Sequence, residues 1–323
     1  MQTAVAFFIY RRPDLTARVF DRIREARPPR LLVVADGPKP GEGELCREAR
    51  LVVERIDWPC EVLQNYSDRN MGCRNRVSSG LDWVFSQVEE AIILEDDCLP
   101  DITFFRFCEV MLGRYRDDER IGHIGGTDSC GAPRDLGQDT YFSRYTSIWG
   151  WATWRRAWRD YDVEMSAWPE IKAAGKHDTM FGTKAEARHF ESVWDDIHSG
   201  ETDTWDGQWL FANRCADRLA IVPNGNLITN IGFREDARHT LDTDHPFAAL
   251  QAYPMNFPLT HPPEMLPDVN ADRRRAEAEF LRGHSWHNSL KAHLGNPHVY
   301  GALIRSIPLL GKYWATWRAR KPE

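Results

Sequence analysis

The chain reads as an α/β protein with a mostly parallel central sheet flanked by helices, and three observations predict this. Short apolar, β-branched runs alternate with stretches whose apolar residues recur every three or four positions; turn formers close each run; acidic and amide side chains gather just past the closures. The first run, residues 3–10, ends at Arg11-Arg12-Pro13, after which Leu15, Val19, Phe20 and Ile23 share a helical face. The second, residues 30–35, is closed by Asp36-Gly37-Pro38, at a separation that suits one βαβ unit with a parallel crossover. A helix over 44–55 leads to a third run at 60–63, and a helix over 74–87 to a fourth at 91–94. Past Pro100 a helix over 104–115 precedes a fifth run at 121–124. From there to about Phe233 the chain is rich in Trp, Asp and Gly, and a helical, basic segment from about Arg273 forms a C-terminal helical extension. Near-continuous apolar runs of this kind belong to strands covered on both faces, hence the parallel sheet between helix layers.

Composition bounds the function. With 323 residues, 42% hydrophobic and 28% charged, the chain can bury a large core and is neither disordered nor fibrous. A formal charge of -7 excludes a general nucleic-acid binder, which needs a positive surface for phosphates. An anionic substrate then requires a local basic patch or a metal ion. The seven cysteines form no CxxC pair and no disulfide pattern, and Met1-Gln2-Thr3 runs straight into a strand, so a reducing, cytoplasmic location is expected. No stretch approaches the ~20 apolar residues that span a bilayer. Thirteen tryptophans offer flat apolar faces that suit sugar rings, although core packing is the commoner use of any one of them.

Ligands of open α/β sheets bind beyond the carboxyl ends of the strands, which directs attention to Arg11, Asp36, residues 65–70 and residues 95–97. Ile92-Ile93-Leu94-Glu95-Asp96-Asp97 puts three acids at the mouth of a buried strand, where their repulsion is costly unless a cation neutralises it. Oxygen ligands suit Mg2+ or Mn2+, which take one or two carboxylates and complete their shell with water and substrate phosphates. A solvated acidic turn is the alternative. Arg69, Asn70, Gly72 and Arg74 lie where the chain turns into a helix, a place suited to a diphosphate or, for Asn70, to simple capping.

On Phe7-Phe8-Ile9-Tyr10-Arg11-Arg12-Pro13, Val34-Ala35-Asp36-Gly37, Asn70-Met71-Gly72 and Leu94-Glu95-Asp96-Asp97, the sequence resembles the GT-A glycosyltransferases over residues 3 to 240. It is similar to family 2-like bacterial enzymes and to Golgi N-acetylglucosaminyltransferases with a Glu-Asp-Asp metal motif. The resemblance implies a Rossmann-like GT-A sheet. It implies a nucleotide-sugar half at residues 1–100, an acceptor half at 101–245 and an extension at 246–323. Asp97 would hold the metal that bridges the diphosphate, Asp96 would face the ribose or uracil, Glu95 would support them, and Asp36 would bond the base or ribose. Trp205-Asp206-Gly207-Gln208-Trp209 resembles the Trp-Asp-Asp-Trp segment that carries the catalytic base, with Asp206 the closest match and Asp203 the competitor; a helix N-cap is the bland reading of Asp206. Residues 223–233 and His239 echo the final core strand and a loop His that completes the metal shell, against the plainer reading of a solvated loop histidine.

Trp149-Gly150-Trp151 offers rings around a glycine that would admit a sugar, so Trp149, Trp151 and Trp205 are acceptor candidates; Trp154 and Trp158, at helical spacing, read as core. The expected reaction is inverting transfer from a nucleoside-diphosphate sugar, UDP favoured, to a hydroxyl of a glycan or lipid-linked acceptor, as in cell-surface polysaccharide assembly. Residues 309–321 mix Leu, Tyr and Trp with Lys312, Arg318, Arg320 and Lys321, which suits peripheral contact with an anionic membrane or an ordinary C-terminal helix. Two other classes compete: a sugar-phosphate nucleotidyltransferase, whose Gly-rich phosphate loop should follow the first strand where Arg11-Arg12-Pro13-Asp14 stands, and a non-catalytic module of the same fold. No HExxH or clustered His-Asp pattern supports a metallohydrolase.

Overall fold

A computed structural model describes residues 1–233, 248 and 250–280. The strands are β1 (Ala4–Ile9), β2 (Arg30–Ala35), β3 (Glu61–Tyr66), β4 (Glu90–Glu95), β5 (Cys98–Pro100), β6 (Ile121–Gly125), β7 (Thr140–Ser143), β8 (Trp151–Trp154), β9 (Leu219–Pro223) and β10 (Ile228–Asn230). The helices are α1 (Pro13–Ala26), α2 (Gly43–Val52), α3 (Gly72–Gln87), α4 (Thr103–Arg114), α5 (Arg155–Trp158), α6 (Trp168–Ala173), α7 (Lys184–His198), α8 (Asp206–Cys215) and α9 (Val269–Arg275). Residues Met1–Arg275 form one compact unit, with Ala276–Glu323 a second, most of which lies outside the described residues.

Eight strands form one sheet in the order β3-β2-β1-β4-β8-β6-β9-β7. The first four are mutually parallel; β8 runs against both β4 and β6, β6 and β9 are again parallel, and β7 closes the edge antiparallel. The outcome is the mostly parallel, helix-flanked Rossmann-like sheet that the sequence predicts and that a GT-A-like fold requires. All four predicted parallel strands and the fifth at β6 are present, β2 with the expected bounds and the others with ends moved by at most three residues. The short antiparallel β8 was not foreseen, because Trp151–Trp154 carries no alternation: both of its faces are buried, so every residue is apolar or, as Thr153, bonded to a backbone carbonyl (Gly122 O, 2.6 Å).

The strict period of two divides the core. Val5, Phe7 and Ile9 point with Leu31, Val33 and Leu94 to a layer that holds Val19, Phe20 and Ile23 of α1 and Phe104, Phe107 and Met111 of α4. Ala4, Ala6 and Phe8 point with Leu32, Val34 and Ile93 to the layer that holds Val77, Leu81 and Val84 of α3 and Trp209 of α8. Trp154 and Trp158 are both core, as expected, yet in opposite layers, since the first ends β8 and the second ends α5. Among the described residues no helix is long and apolar enough to cross a membrane.

Helix α3 lies close to the sheet because Gly80 faces it: a Cβ there would sit 2.7 Å from both Phe8 Cε1 and Val34 Cγ1. Alanine is favoured over glycine by about 1 kcal/mol in a helix, but overpacking typically costs about 1–3 kcal/mol. Because Phe8 and Val34 belong to central strands, overpacking should win. Gly80→Ala is expected to lower the stability by about 1 kcal/mol in urea unfolding, whereas the exposed Gly113→Ala in α4, where a Cβ meets nothing within 4 Å, should leave it unchanged or raise it.

Candidate active site

Pairing of Phe8 with Glu95 and of Ile9 with Ala35 brings the ends of β1, β2 and β4 to one edge, so Tyr10, Asp36 and Asp96 leave the sheet side by side. The acids at the end of β4 occupy a turn, Asp96-Asp97, whose far side is pinned by a separate two-stranded ribbon of β5 with β10. Ile231 N–H donates to Asp97 O at 2.8 Å, and a Cβ on Gly232 would lie 2.9 Å from Asp97 Cβ. A glycine is therefore needed for the last strand to pass behind the acid turn.

Arg12 crosses to this turn from the end of β1. Its Nη2 donates to Asp96 Oδ1 and, at 2.9 Å, to Asp97 Oδ2, while Tyr10 N–H donates to Asp96 Oδ2 at 3.3 Å. Burial alone would lower the Arg12 pKa, but Asp96 and Asp97 overcome it and hold the guanidinium firmly charged. One guanidinium cannot do the same for three acids. Burial, then the charges of Asp97 and Asp96, push Glu95 up to about 8; burial and Asp97 hold Asp96 at about 6 despite Arg12. Sequence reasoning singled out Arg11 and missed Arg12: two adjacent arginines after a strand give no sign of which one faces the acids. Arg11 instead reaches Glu42 at 3.3 Å.

Asp36 is buried and fully engaged. Its carboxylate accepts from the N–H groups of Gly37 (2.8 Å), Met71 (2.9 and 3.2 Å) and Gly72 (3.2 Å) and from Asn70 Nδ2 (3.0 Å). It thus anchors the start of α3, where an anion is favoured by the free N–H groups. Asn70 Nδ2 also donates to Gly37 O and Tyr10 Oη, both at 3.0 Å, and Tyr10 Oη donates to Glu42. Of the basic residues expected near this loop, Arg69 is exposed and Arg74 is drawn away to Val163 O and Glu164. Neither lines the cleft described below. Arg76, which the sequence reading passed over, does: it is buried, and its guanidinium donates to Ala35 O and to the carbonyl and amide oxygens of Asn65.

A cleft of about 550 Å3 opens at this edge. Arg11, Arg12, Asp36, Lys39, Asn70 and Gly72 line it together with the three acids, Trp149, Trp205 and Asp206. Asp206 is the first residue of α8, and Thr204 Oγ1 donates to its carboxylate. Its charge raises the Glu95 pKa further, which places it near the acid turn. Asp203 is exposed and is not among the lining residues. Trp149 borders the cleft in edge contact with Phe233, ring centroids 5.7 Å apart. Trp151 corrects the expectation of a sugar platform: it is fully buried and stacked between His123 and Trp205, so no face of it is open to a ligand. The space beside Gly150 is likewise taken, since a Cβ there would meet Ile228 Cδ1 at 2.4 Å. Its φ of +61° is the second reason for glycine at this position. His239 and residues 309–321 lie outside the described residues.

Among the described residues no three His, Cys, Asp or Glu side chains converge tightly enough to enclose a metal ion unaided. The donor set nevertheless fits a hard cation of the kind that takes one or two carboxylates and fills its shell from water and phosphate. Asp97 presents a partly exposed carboxylate to the cleft, and the raised Glu95 and Asp96 mark a surplus of negative charge there.

No family model and no characterised protein sequence matches the chain. Solved structures that match include S. aureus TarS 1-349, at 10% identity over 95% of this chain and 81% of that one, with a TM-score of 0.39. The mannosyltransferase PcManGT from Pyrobaculum calidifontis in complex with GDP-Man and Mn2+ matches at 11% identity over 67% and 70%, TM-score 0.35. A UDP-glucose pyrophosphorylase complexed with UDP-glucose matches at 7% identity over 72% and 94%, TM-score 0.35.

The raised acids have a sign in stability. A carboxyl whose folded pKa exceeds its unfolded value, here 4.5 against about 8 for Glu95, binds its proton more tightly when folded, so the stability it contributes is lost as pH rises between those values. Glu95→Gln should therefore gain stability relative to the parent as pH is raised from about 4.5 to about 8, and hold that gain above. Urea titrations at pH 5 and pH 8 without divalent ions measure it; an unchanged difference would mean that Glu95 ionises freely.

Proposed function

We propose that the chain is a metal-dependent, inverting glycosyltransferase that moves a sugar from a nucleoside-diphosphate sugar, UDP favoured, to a hydroxyl acceptor. The observation that carries this reading is the cleft itself: an acid turn on one strand end, basic and amide groups beside it, and one separate carboxylate, Asp206 of α8, in the same lining. Asp97, with Asp96 behind it, would hold a divalent ion, which when bound neutralises the leaving diphosphate. Arg11 and Lys39 line the side on which the diphosphate charge would lie. Asp36 keeps Asn70 and Gly72 in place as the floor of the nucleoside end, and with its oxygens committed to the protein it acts there through the loop it holds.

Asp206 would accept the proton of the acceptor hydroxyl as its oxygen attacks the anomeric carbon from the face opposite the diphosphate. Its position at the first turn of α8 and the bond from Thr204 fix the carboxylate. Trp149 and Trp205 border the space that the acceptor would enter.

The connection from β1 to α1 supports transfer over nucleotidyl transfer. Only Tyr10, Arg11 and Arg12 separate the strand from Pro13, the first helical residue, which leaves no glycine-rich loop to wrap a triphosphate.

Thermal unfolding with UDP, GDP, dTDP and CMP, each with and without Mn2+, tests the donor site. One nucleoside diphosphate should raise the midpoint by several degrees only with metal, as a ligand at 100 times its Kd stabilises by about 2.7 kcal/mol, and Asp97→Ala should abolish the rise. Asp206→Asn should keep that shift and lower kcat about 10^2- to 10^4-fold in an assay of donor turnover. A chain that instead joins a nucleoside triphosphate to a sugar phosphate would refute transfer.

A further inference from the structure

Arg12 stands on carboxylate oxygens of Asp96 and Asp97, the residues that would hold a divalent ion. A single nitrogen, Nη2, touches Asp96 Oδ1 and lies 2.9 Å from Asp97 Oδ2. The side chains involved are mostly enclosed, 20% exposed for Arg12, 4% for Asp96 and 14% for Asp97. The Arg12 backbone is fixed, because its carbonyl accepts from both Thr16 N–H (2.9 Å) and Thr16 Oγ1 (2.8 Å) as α1 begins. Only the long side chain can change place. A divalent ion and a guanidinium cannot share the same two oxygens, since two cations would then meet in an enclosed site of low dielectric.

We propose that Arg12 is the resident counter-cation of the acid turn, which a divalent ion must displace, so that ion and nucleoside diphosphate enter together and the released guanidinium passes to the diphosphate. The inference rests on the donor-site reading above. Its physical basis is exchange of partners. Bound to Asp96 and Asp97, Arg12 offsets carboxylates that would otherwise repel one another in a partly buried turn. Once an ion takes over that task, Arg12 is left without its anions, and a diphosphate in the same cleft presents paired oxygens that the planar guanidinium can meet with two parallel bonds. Metal alone gives Arg12 no new partner, so metal alone should bind poorly. A nucleotide gives it one, so the two ligands should bind cooperatively by contact through one side chain.

Free Mn2+ measured by electron paramagnetic resonance on the full chain, alone and with UDP or GDP, tests the exchange without reference to turnover. Arg12→Gln should bind Mn2+ alone at least tenfold more tightly than the parent, and the gain should shrink or reverse with nucleotide present. Arg12→Lys, which keeps a cation, should stay near the parent; a gain equal to that of Arg12→Gln would refute a role for the charge. Mn2+ affinity in Arg12→Gln that is unchanged or weaker without nucleotide would overturn the proposal. Should that variant not fold, nitrogen-15 resonances of arginine side chains in the parent decide, assigned through Arg12→Lys. The Arg12 signal should move with Mg2+ plus nucleotide and stay with Mg2+ alone, and a signal unmoved in both defeats the exchange. The two readings fail differently. Absence of Mn2+ binding with any nucleoside diphosphate removes the donor site and the exchange with it. Nucleotide-dependent binding in the parent with no gain in Arg12→Gln removes the exchange alone.

Discussion

Three carboxylates in one turn at the mouth of a buried strand set the terms for everything near them. Glu95, Asp96 and Asp97 repel one another, and burial raises the cost of each charge. The fold meets this in three ways: Arg12 is brought from the neighbouring strand end, the Tyr10 N–H group is turned onto Asp96, and part of the charge remains poorly compensated, as the raised Glu95 shows. Such a turn would drift toward solvent if it hung from β4 alone. The β5–β10 ribbon, with Gly232 behind Asp97, prevents that by holding the far side of the turn to β10. Rigidity and residual charge together suit the turn to a cation, as the proposed donor site requires.

The other side of the cleft is built on the opposite principle, complete satisfaction. Asp36 is as buried as Asp96 but is surrounded by N–H donors at the start of α3, and its carboxylate accepts five bonds. These bonds tie the end of β2 to the first turn of α3, and Asn70 extends the tie to Tyr10 and so to β1. A network in which each member is paired is stiff. The cleft therefore joins a rigid hydrogen-bonded loop to an acid turn whose counter-ion is the Arg12 guanidinium.

What the sequence made legible follows from periodicity. β1, β2, β4 and their helices could be placed because continuous apolar runs and three-to-four-residue repeats have one structural meaning each, and the site edge followed from the rule about strand ends. Two things were hidden. Which of Arg11 and Arg12 faces the acids depends on how the chain leaves β1, a dihedral detail without compositional trace. The aromatic cluster was harder still: Trp149 and Trp151 differ by two positions, yet one borders the cleft and the other lies between His123 and Trp205. A stacking ring and a core ring are written with the same letter, and only the antiparallel return of β8 between β4 and β6 decides.

That return also explains how two halves of the chain come to share one site. β8 runs between β4 and β6, so Trp151 on its α3-side face packs against Trp205 and Trp209, at 5.7 Å in each case. These two tryptophans bracket Asp206 at the start of α8. Trp209 is locked in turn by donating its indole N–H to His123 Nδ1 at 3.1 Å, on a histidine that burial holds neutral, at about 3. A neutral histidine is required there, because a protonated Nδ1 could not accept the bond. Asp206 is thus positioned from the core outward, through β8, Trp151 and the Trp205–Trp209 pair. The tryptophan-rich segment consequently bears on the cleft by fixing the direction of α8, while Trp149 and Trp205 stand in its lining.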